Sequence, residues 1–223
     1  MERKDAIRSA YRMTGSNSFY DGMITCSTPS GKAVCRLVWD MNKAECDDYL
    51  EKALSGIPEG FSGKLLEVHV GTGILTMPVY KTLPDTDIVN GIDYSEVSVE
   101  RAQKLNRSAI ACGCCEVQQG DVSELGFKDA QFDLVTAFET VYFWPGLPRC
   151  FGEVFRVLRP GGTFFICNEC SGDTGKNVKW TEMIDGMTIY RDSQLRETLE
   201  QSGFHDVRIH KNNKGWLCVT AKK

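Results

Sequence analysis

The sequence predicts a doubly wound α/β fold: a mainly parallel sheet with helices on both faces, finished by a C-terminal antiparallel β-hairpin and preceded by an N-terminal helical cap. Three observations carry this. Residues 64–73, Lys-Leu-Leu-Glu-Val-His-Val-Gly-Thr-Gly, form an apolar strand that contains an acid, Glu67, and then turns through Gly71 and Gly73. Twenty residues past Gly73 a second acid, Asp93, closes another strand, Ile88-Val89-Asn90-Gly91-Ile92. From Gly63 onward, short stretches rich in Val, Ile, Leu and Phe alternate with helical segments. A glycine turn between strand and helix, followed by an acid on the next strand, is how this architecture holds a nucleoside.

Each element follows in order. Residues 1–60 lack strand alternation and read as a cap packed on something larger, not an independent domain. Within them, Asn42-Lys-Ala-Glu45 has the form of a capping box, and Cys46, Tyr49, Leu50, Ala53 and Leu54 share one helical face. Gly56-Ile-Pro58-Glu-Gly60 stops that helix. The main domain, residues 61–223, has strand candidates at 64–70, 88–92, 115–119, 132–138 and 162–168. Helices are expected at about 74–83, 95–109 and 147–158, with Pro78 confined to a first turn. Arg159-Pro160-Gly161-Gly162 halts the last of these before the fifth strand. A helix at 192–202 stops at Gly203, and strands at 204–210 and 216–220 flank Lys211-Asn-Asn-Lys-Gly215 as a hairpin.

At 223 residues the chain can bury one sizeable core, and a formal charge of −4 gives no broad attraction to phosphate backbones, so a nucleic-acid partner is not expected. No apolar run reaches membrane-spanning length, and the charged start Met-Glu-Arg-Lys leads into no signal-type segment. The expected location is cytoplasmic. Ten cysteines are then reduced thiols, with two clusters, Cys112-Gly-Cys114-Cys115 and Cys167-Asn-Glu-Cys170. With histidines only at 69, 205 and 210, paired metal-ligand spacings are absent and no metal is expected.

The choice of cofactor turns on Glu67. A nicotinamide dinucleotide needs three glycines, whereas the register here is Gly71-Thr72-Gly73-Ile-Leu-Thr76. Its pyrophosphate would also sit near an upstream acid that repels it. An acid suits a cofactor carrying an ammonium group, and S-adenosylmethionine is one. Glu67 can accept from its ammonium, and backbone N–H groups around Gly71–Gly73 can reach its carboxylate. Asp93 can accept both ribose hydroxyls, and Asp121, in Gln119-Gly120-Asp121-Val122, the adenine amine.

Taken in order, Leu65-Leu66-Glu67…Gly71-Thr72-Gly73, Gly91-Ile-Asp93-Tyr94-Ser95, Gly120-Asp121, Phe132-Asp133-Leu-Val-Thr-Ala-Phe138-Glu139 and Arg156-Val-Leu-Arg-Pro-Gly-Gly162 resemble the motifs of a class I SAM-dependent methyltransferase of the small-molecule, type 11-like kind. The resemblance spans residues 60–223 and implies a Rossmann-like fold with S-adenosylmethionine as cofactor. It implies cofactor contacts at Tyr20, Glu67, Gly71, Thr72, Gly73, Asp93, Tyr94, Asp121, Val122 and Phe138. One departure is His69, which stands where the family usually has its first glycine.

Methyl transfer from a sulfonium needs alignment with the S–CH₃ axis and exclusion of water, and a general base only where the acceptor must lose a proton. The acceptor pocket is expected beyond the fourth strand, at Phe138-Glu139-Thr-Val-Tyr142-Phe143-Trp144-Pro145, with Glu139 and Tyr142 as candidates for positioning or base work. Tyr11, Phe19, Tyr20 and Trp39 of the cap, and Trp180 and Tyr190 before the last helix, would wall a small, partly apolar acceptor. Asp133 reads as a structural residue at the start of the fourth strand. The alternatives are a non-catalytic SAM-binding module, arsenite methylation assisted by thiols, and, more distantly, an NAD oxidoreductase. Thiol-assisted chemistry requires cysteines converging on the acceptor side, whereas Cys112, Cys114 and Cys115 precede the third strand.

Overall fold

In the computed structural model the described residues are 44, 63–68, 88–173, 175, 178–211 and 215–223. Apart from residue 44, the expected cap over residues 1–60 lies outside them, as do the helix at 74–83 and His69. Seven strands form one sheet: β1 (Lys64–Val68), β2 (Ile88–Asp93), β3 (Cys115–Gln119), β4 (Phe132–Phe138), β5 (Leu158–Asn168), β6 (His205–Lys211) and β7 (Leu217–Lys222). Their order across the sheet is β3-β2-β1-β4-β5-β7-β6. The first five are mutually parallel, and β7 returns antiparallel between β5 and β6. The expected mainly parallel sheet with a terminal hairpin is therefore present.

Among the described residues the helices are α1 (Glu96–Leu105), α2 (Arg107–Ala111), α3 (Leu147–Val157), α4 (Val178–Met183) and α5 (Asp192–Gln201), with a 3₁₀ turn at Val141–Phe143. On one face of the sheet, Leu66, Ile92, Val135, Ala137, Phe164 and Ile166 form a core with Phe151 and Val154 of α3 and Leu195 and Leu199 of α5. On the other, Val99 and Ala102 of α1 and Ala109 of α2 pack on Cys115 and Val117 of β3. Strand residues alternate between faces, so two apolar faces explain why β1 and β4 read as continuous hydrophobic runs.

Three boundaries differ from expectation. The single helix at 95–109 is two, because the Asn106 amide donates to the Ala102 carbonyl at 2.8 Å and its backbone leaves the helical region. Asparagine offers its backbone this alternative to the helical ladder. Strand β5 starts at Leu158, not 162: Leu158 pairs with Phe132, and Thr163 with Leu134 two residues on. Arg159–Gly162 is thus a bulge inside a strand, and Gly162 is required there, since a Cβ would lie 2.8 Å from the Arg159 carbonyl. Helix α4 had no counterpart in the sequence reading. Asp133 is structural, as expected: it accepts from the Lys64 N–H at 2.9 Å and from Arg159 Nη1 at 2.7 and 2.8 Å, tying the starts of β1, β4 and β5.

Candidate active site

The parallel strands end on one rim, and all five carry an acid at or just beyond that end. Glu67 of β1 and Asp93 of β2 are each only 1% exposed. Buried carboxylates are costly unless something donates to them. Asp93 Oδ1 accepts from the Ser95 N–H at 2.8 Å, and Ser95 caps α1 by accepting from the Ser98 N–H at 3.4 Å. The same short turn therefore starts the helix and fixes the acid. Tyr94 follows Asp93, and its carbonyl accepts from Gln119 Nε2 at 3.0 Å, linking the ends of β2 and β3. After β3, Asp121 Oδ1 accepts from the backbone N–H and the hydroxyl of Ser123, at 2.9 and 2.7 Å. Arg149 of α3 holds the Ser123 carbonyl at 2.8 Å. Val122 belongs to the core, 1% exposed.

Across β1, the β4 end carries the acceptor-side candidates. The Phe138 ring meets Phe165 edge-on at 5.7 Å. Glu139 has φ +55°, a left-handed conformation that costs a residue with a Cβ about 1–3 kcal/mol and is held by the surrounding structure. Its N–H donates to the Cys167 carbonyl at 2.8 Å. The Tyr142 hydroxyl accepts from the Cys170 N–H at 2.8 Å, binding the segment after β4 to the segment after β5. Burial first, and then the charge of Glu139, push the Tyr142 phenol well above its ordinary value.

One acid at this rim was missed by sequence reasoning: Glu169, directly after β5. The residue is half-buried, and burial followed by the charge of Glu139 raises its pKa well above the usual carboxylate range. The signal was available, because Cys167-Asn168-Glu169-Cys170 ends a strand with an acid as β1 and β2 do; it was read for its thiols instead. Beside the two acids, Thr140 is 5% exposed and Asn168 2%, and Thr140 Oγ1 and Asn168 Oδ1 have no hydrogen-bond partner among the described residues.

The structure thus places Glu67, Asp93, Tyr94 and Asp121 along adjacent strand ends, and Glu139 and Tyr142 beyond them at β4. Tyr20, Gly71, Thr72 and Gly73 lie outside the described residues. Cys112, Cys114 and Cys115 sit at the amino end of β3, away from the rim. Near the rim, the Cys167 and Cys218 sulfurs are 3.6 Å apart, but no group of three ligating side chains forms among the described residues. Burial and two glutamates also raise the pKa of the Cys170 thiol, keeping it protonated. Among the described residues, the cysteine cluster asked for by thiol-assisted arsenite methylation does not form at the rim.

A doubly wound sheet whose ligand rim presents carboxylates on three consecutive strands defines a nucleoside-binding domain of a particular kind. It suits a cofactor rich in donors, with an ammonium, two ribose hydroxyls and an amine, and repels a diphosphate. S-adenosylmethionine fits this donor set. Residues 66–166 match the methyltransferase domain family. The chain is 34% identical over 150 residues to cycloartenol-C-24-methyltransferase 1 of Oryza sativa subsp. japonica, covering 63% of this chain and 43% of that one. It is 37% identical over 113 residues to the phosphatidylethanolamine N-methyltransferase of Cereibacter sphaeroides, covering 51% and 54%. The chain therefore spans about half the length of these curated relatives. The crystal structure of a SAM-dependent methyltransferase from Aquifex aeolicus superposes with a TM-score of 0.64 at 20% identity, over 77% of this chain and 88% of that one. Residues 66–166 thus carry a methyltransferase domain, and the family match, the curated relatives and the structural neighbour together support a class I SAM-dependent methyltransferase.

Proposed function

We propose that this chain transfers a methyl group from S-adenosylmethionine to a small-molecule acceptor held at the ends of β4 and β5. The observation that carries the reading is the row of buried or half-buried acids on consecutive strand ends, Glu67, Asp93 and Asp121. When bound, the cofactor supplies a methyl group on a sulfonium that departs as a neutral thioether. Glu67 holds the ammonium, Asp93 the ribose hydroxyls and Asp121 the adenine amine. The loop Gly71-Thr72-Gly73 offers N–H groups to the carboxylate, while Tyr94, the Val122 backbone and Phe138 flank the nucleoside. Residues 1–60 act as a cap, with Tyr20 closing over the cofactor.

On the acceptor side, alignment along the S–CH₃ axis supplies up to roughly 7–11 kcal/mol of the barrier reduction. Glu139 and Glu169 are neighbouring acids, one of which is driven toward its protonated form. Such a pair separates an acid from a base, so Glu139 accepts the acceptor's proton while Glu169 keeps its own. Base assistance of this kind contributes about 10²–10⁴-fold. Tyr142, locked onto Cys170, positions the two strand ends, its phenol held well above its ordinary value by burial and the charge of Glu139. An acceptor bearing an N–H or O–H donor fits this mouth. The reading is of a cytoplasmic enzyme without a nucleic-acid partner. The net charge of −4 supports the second point. No helix among the described residues is long and apolar enough to cross a membrane.

Calorimetric titration with S-adenosylhomocysteine and NADH tests the cofactor assignment. S-adenosylhomocysteine should bind, and Asp93→Asn should weaken it by about 1–3 kcal/mol, roughly 5–150-fold, by leaving ribose hydroxyls poorly paired. Binding of NADH alone would overturn the proposal, and an unchanged affinity in Asp93→Asn would misplace the ribose. A screen of amine and hydroxyl metabolites for S-adenosylmethionine consumption tests transfer itself. Cofactor binding with no consumption on any acceptor would mark a binding module.

A further inference from the structure

Independently of methyl transfer, we propose that Cys112 and Cys114 form a thiol–disulfide exchange site that reacts with low-molecular-weight disulfides and closes reversibly to an intramolecular bond. The turn between α2 and β3 brings their sulfurs to 2.7 Å. Cys112 is exposed and Cys114 partly so, which gives a dissolved disulfide access. The turn is already in place: the N–H groups of Cys112, Gly113 and Cys114 donate to the carbonyls of Ser108, Ile110 and Ala109 at 3.2, 3.0 and 2.9 Å. Gly113, at φ +78°, supplies the left-handed residue that folds the two cysteines toward each other. Closure therefore demands little further ordering of the chain.

The chemistry balances with one co-reactant. The Cys112 thiolate attacks a sulfur of the external disulfide, forming a mixed disulfide and releasing one external thiolate. The Cys114 thiolate then attacks the Cys112 sulfur, forming the intramolecular bond and releasing the second external thiolate. The two protein thiols give up two protons and are oxidised; the external disulfide is reduced to two thiols. Selectivity follows from burial. Cys115, the next residue, is 4% exposed, and burial with the nearby Glu67 charge pushes its thiol up to about 11. Cys150, Cys167 and Cys170 are also buried. The closed ring is very short, so it removes little entropy from the unfolded chain and contributes little stability, which keeps the bond reversible.

The test equilibrates the folded protein with glutathione buffers of increasing oxidised fraction, quenches by acid and alkylation, and maps the peptide spanning Cys112–Cys115 by mass. The parent should lose one hydrogen pair, with the bond placed between Cys112 and Cys114 and Cys115 alkylated only after denaturation. Cys114→Ser should stop at the glutathione adduct on Cys112, and Cys112→Ser should show at most a slower adduct on Cys114. Circular dichroism and S-adenosylhomocysteine affinity should match the parent in both variants, separating exchange from misfolding. A peptide that stays fully reduced across the series overturns the proposal. So does a parent that stops at a stable adduct, or a bond that recruits Cys115. Oxidation that raises the melting temperature by more than about 2 °C would mark a structural bond and also overturn it.

Discussion

Arg156, near the end of α3, is a clamp whose removal has a calculable effect. Its Nη1 and Nη2 donate to the carbonyls of Phe127 and Leu125, each at 2.8 Å, and its Nε and Nη2 grip both oxygens of Glu153 at 2.8 Å. It thereby fixes the segment between Asp121 and β4 to the helix. Its 2.8 Å contact with Asp129 counts for little, because that carboxylate is 79% exposed. Arg156→Met keeps the apolar stem and removes every bond. Two carbonyl bonds to a charged, partly buried donor are worth about 1 kcal/mol each after discounting for solvent, and the bidentate pair adds up to about 1 more. The expected loss is about 2–3 kcal/mol, or roughly 5–10 °C in melting temperature for a chain of this size. Differential scanning calorimetry at pH 7 reads this directly. The same variant carries a second signature. Arg156 lowers the Glu153 pKa, so Glu153 contributes stability above its unfolded value that is lost as pH falls through the folded one. That acid-limb loss should be weaker in Arg156→Met. A melting point within about 2 °C of the parent, with the acid limb unchanged, would refute the reasoning.

Glu169→Gln should act with the opposite sign. A carboxyl whose folded pKa is raised contributes stability below its unfolded value and loses it as pH rises, so the variant should melt higher than the parent at pH 8 and converge with it below about pH 4; equal melting points at pH 8 would show that burial does not raise the carboxyl's pKa. Gly203→Ala should destabilise by about 1–3 kcal/mol in urea titration, because Gly203 has φ +101° and a Cβ there meets the Phe155 ring at 2.9 Å. That ring cannot easily yield, being packed edge-on against Phe204 at 5.1 Å.

The sheet was legible in the sequence because each parallel strand is an apolar run bounded by turn residues, and the acids that close β1 and β2 mark which end binds. The β5 start was not, since Arg-Pro-Gly-Gly punctuates the chain as a stop while Leu158 pairs with Phe132 across the sheet. That pairing is a tertiary fact which no local propensity encodes. The break at Asn106 was readable from asparagine's competition with the helical ladder, but the flanking apolar period concealed it. Helix α4 lacks a clear apolar stripe over Lys179-Trp-Thr-Glu-Met183, so nothing periodic announced it. In the proposed site, the adenosyl half is read from strand-end acids alone. The acceptor half depends on the burial of Glu169 beside Glu139, a consequence of long-range packing.

The reversed strand changes what the rim can become. Because β7 runs against β5, Leu217 begins it beside Asn168, and Lys211 ends β6 opposite Leu217. The hairpin connection therefore leaves from and returns to the edge where the acids end, and Lys211 bonds there to Asp192 at 2.7 Å and Asp173 at 3.3 Å. A purely parallel sheet gives each strand end only a loop bound for its next helix. Here β6 and β7 border the rim beyond β5, on the far side of the sheet from Glu67, Asp93 and Asp121, the acids proposed to hold the nucleoside. Lengthening or exchanging that connection is a route to new acceptors that leaves cofactor affinity in place.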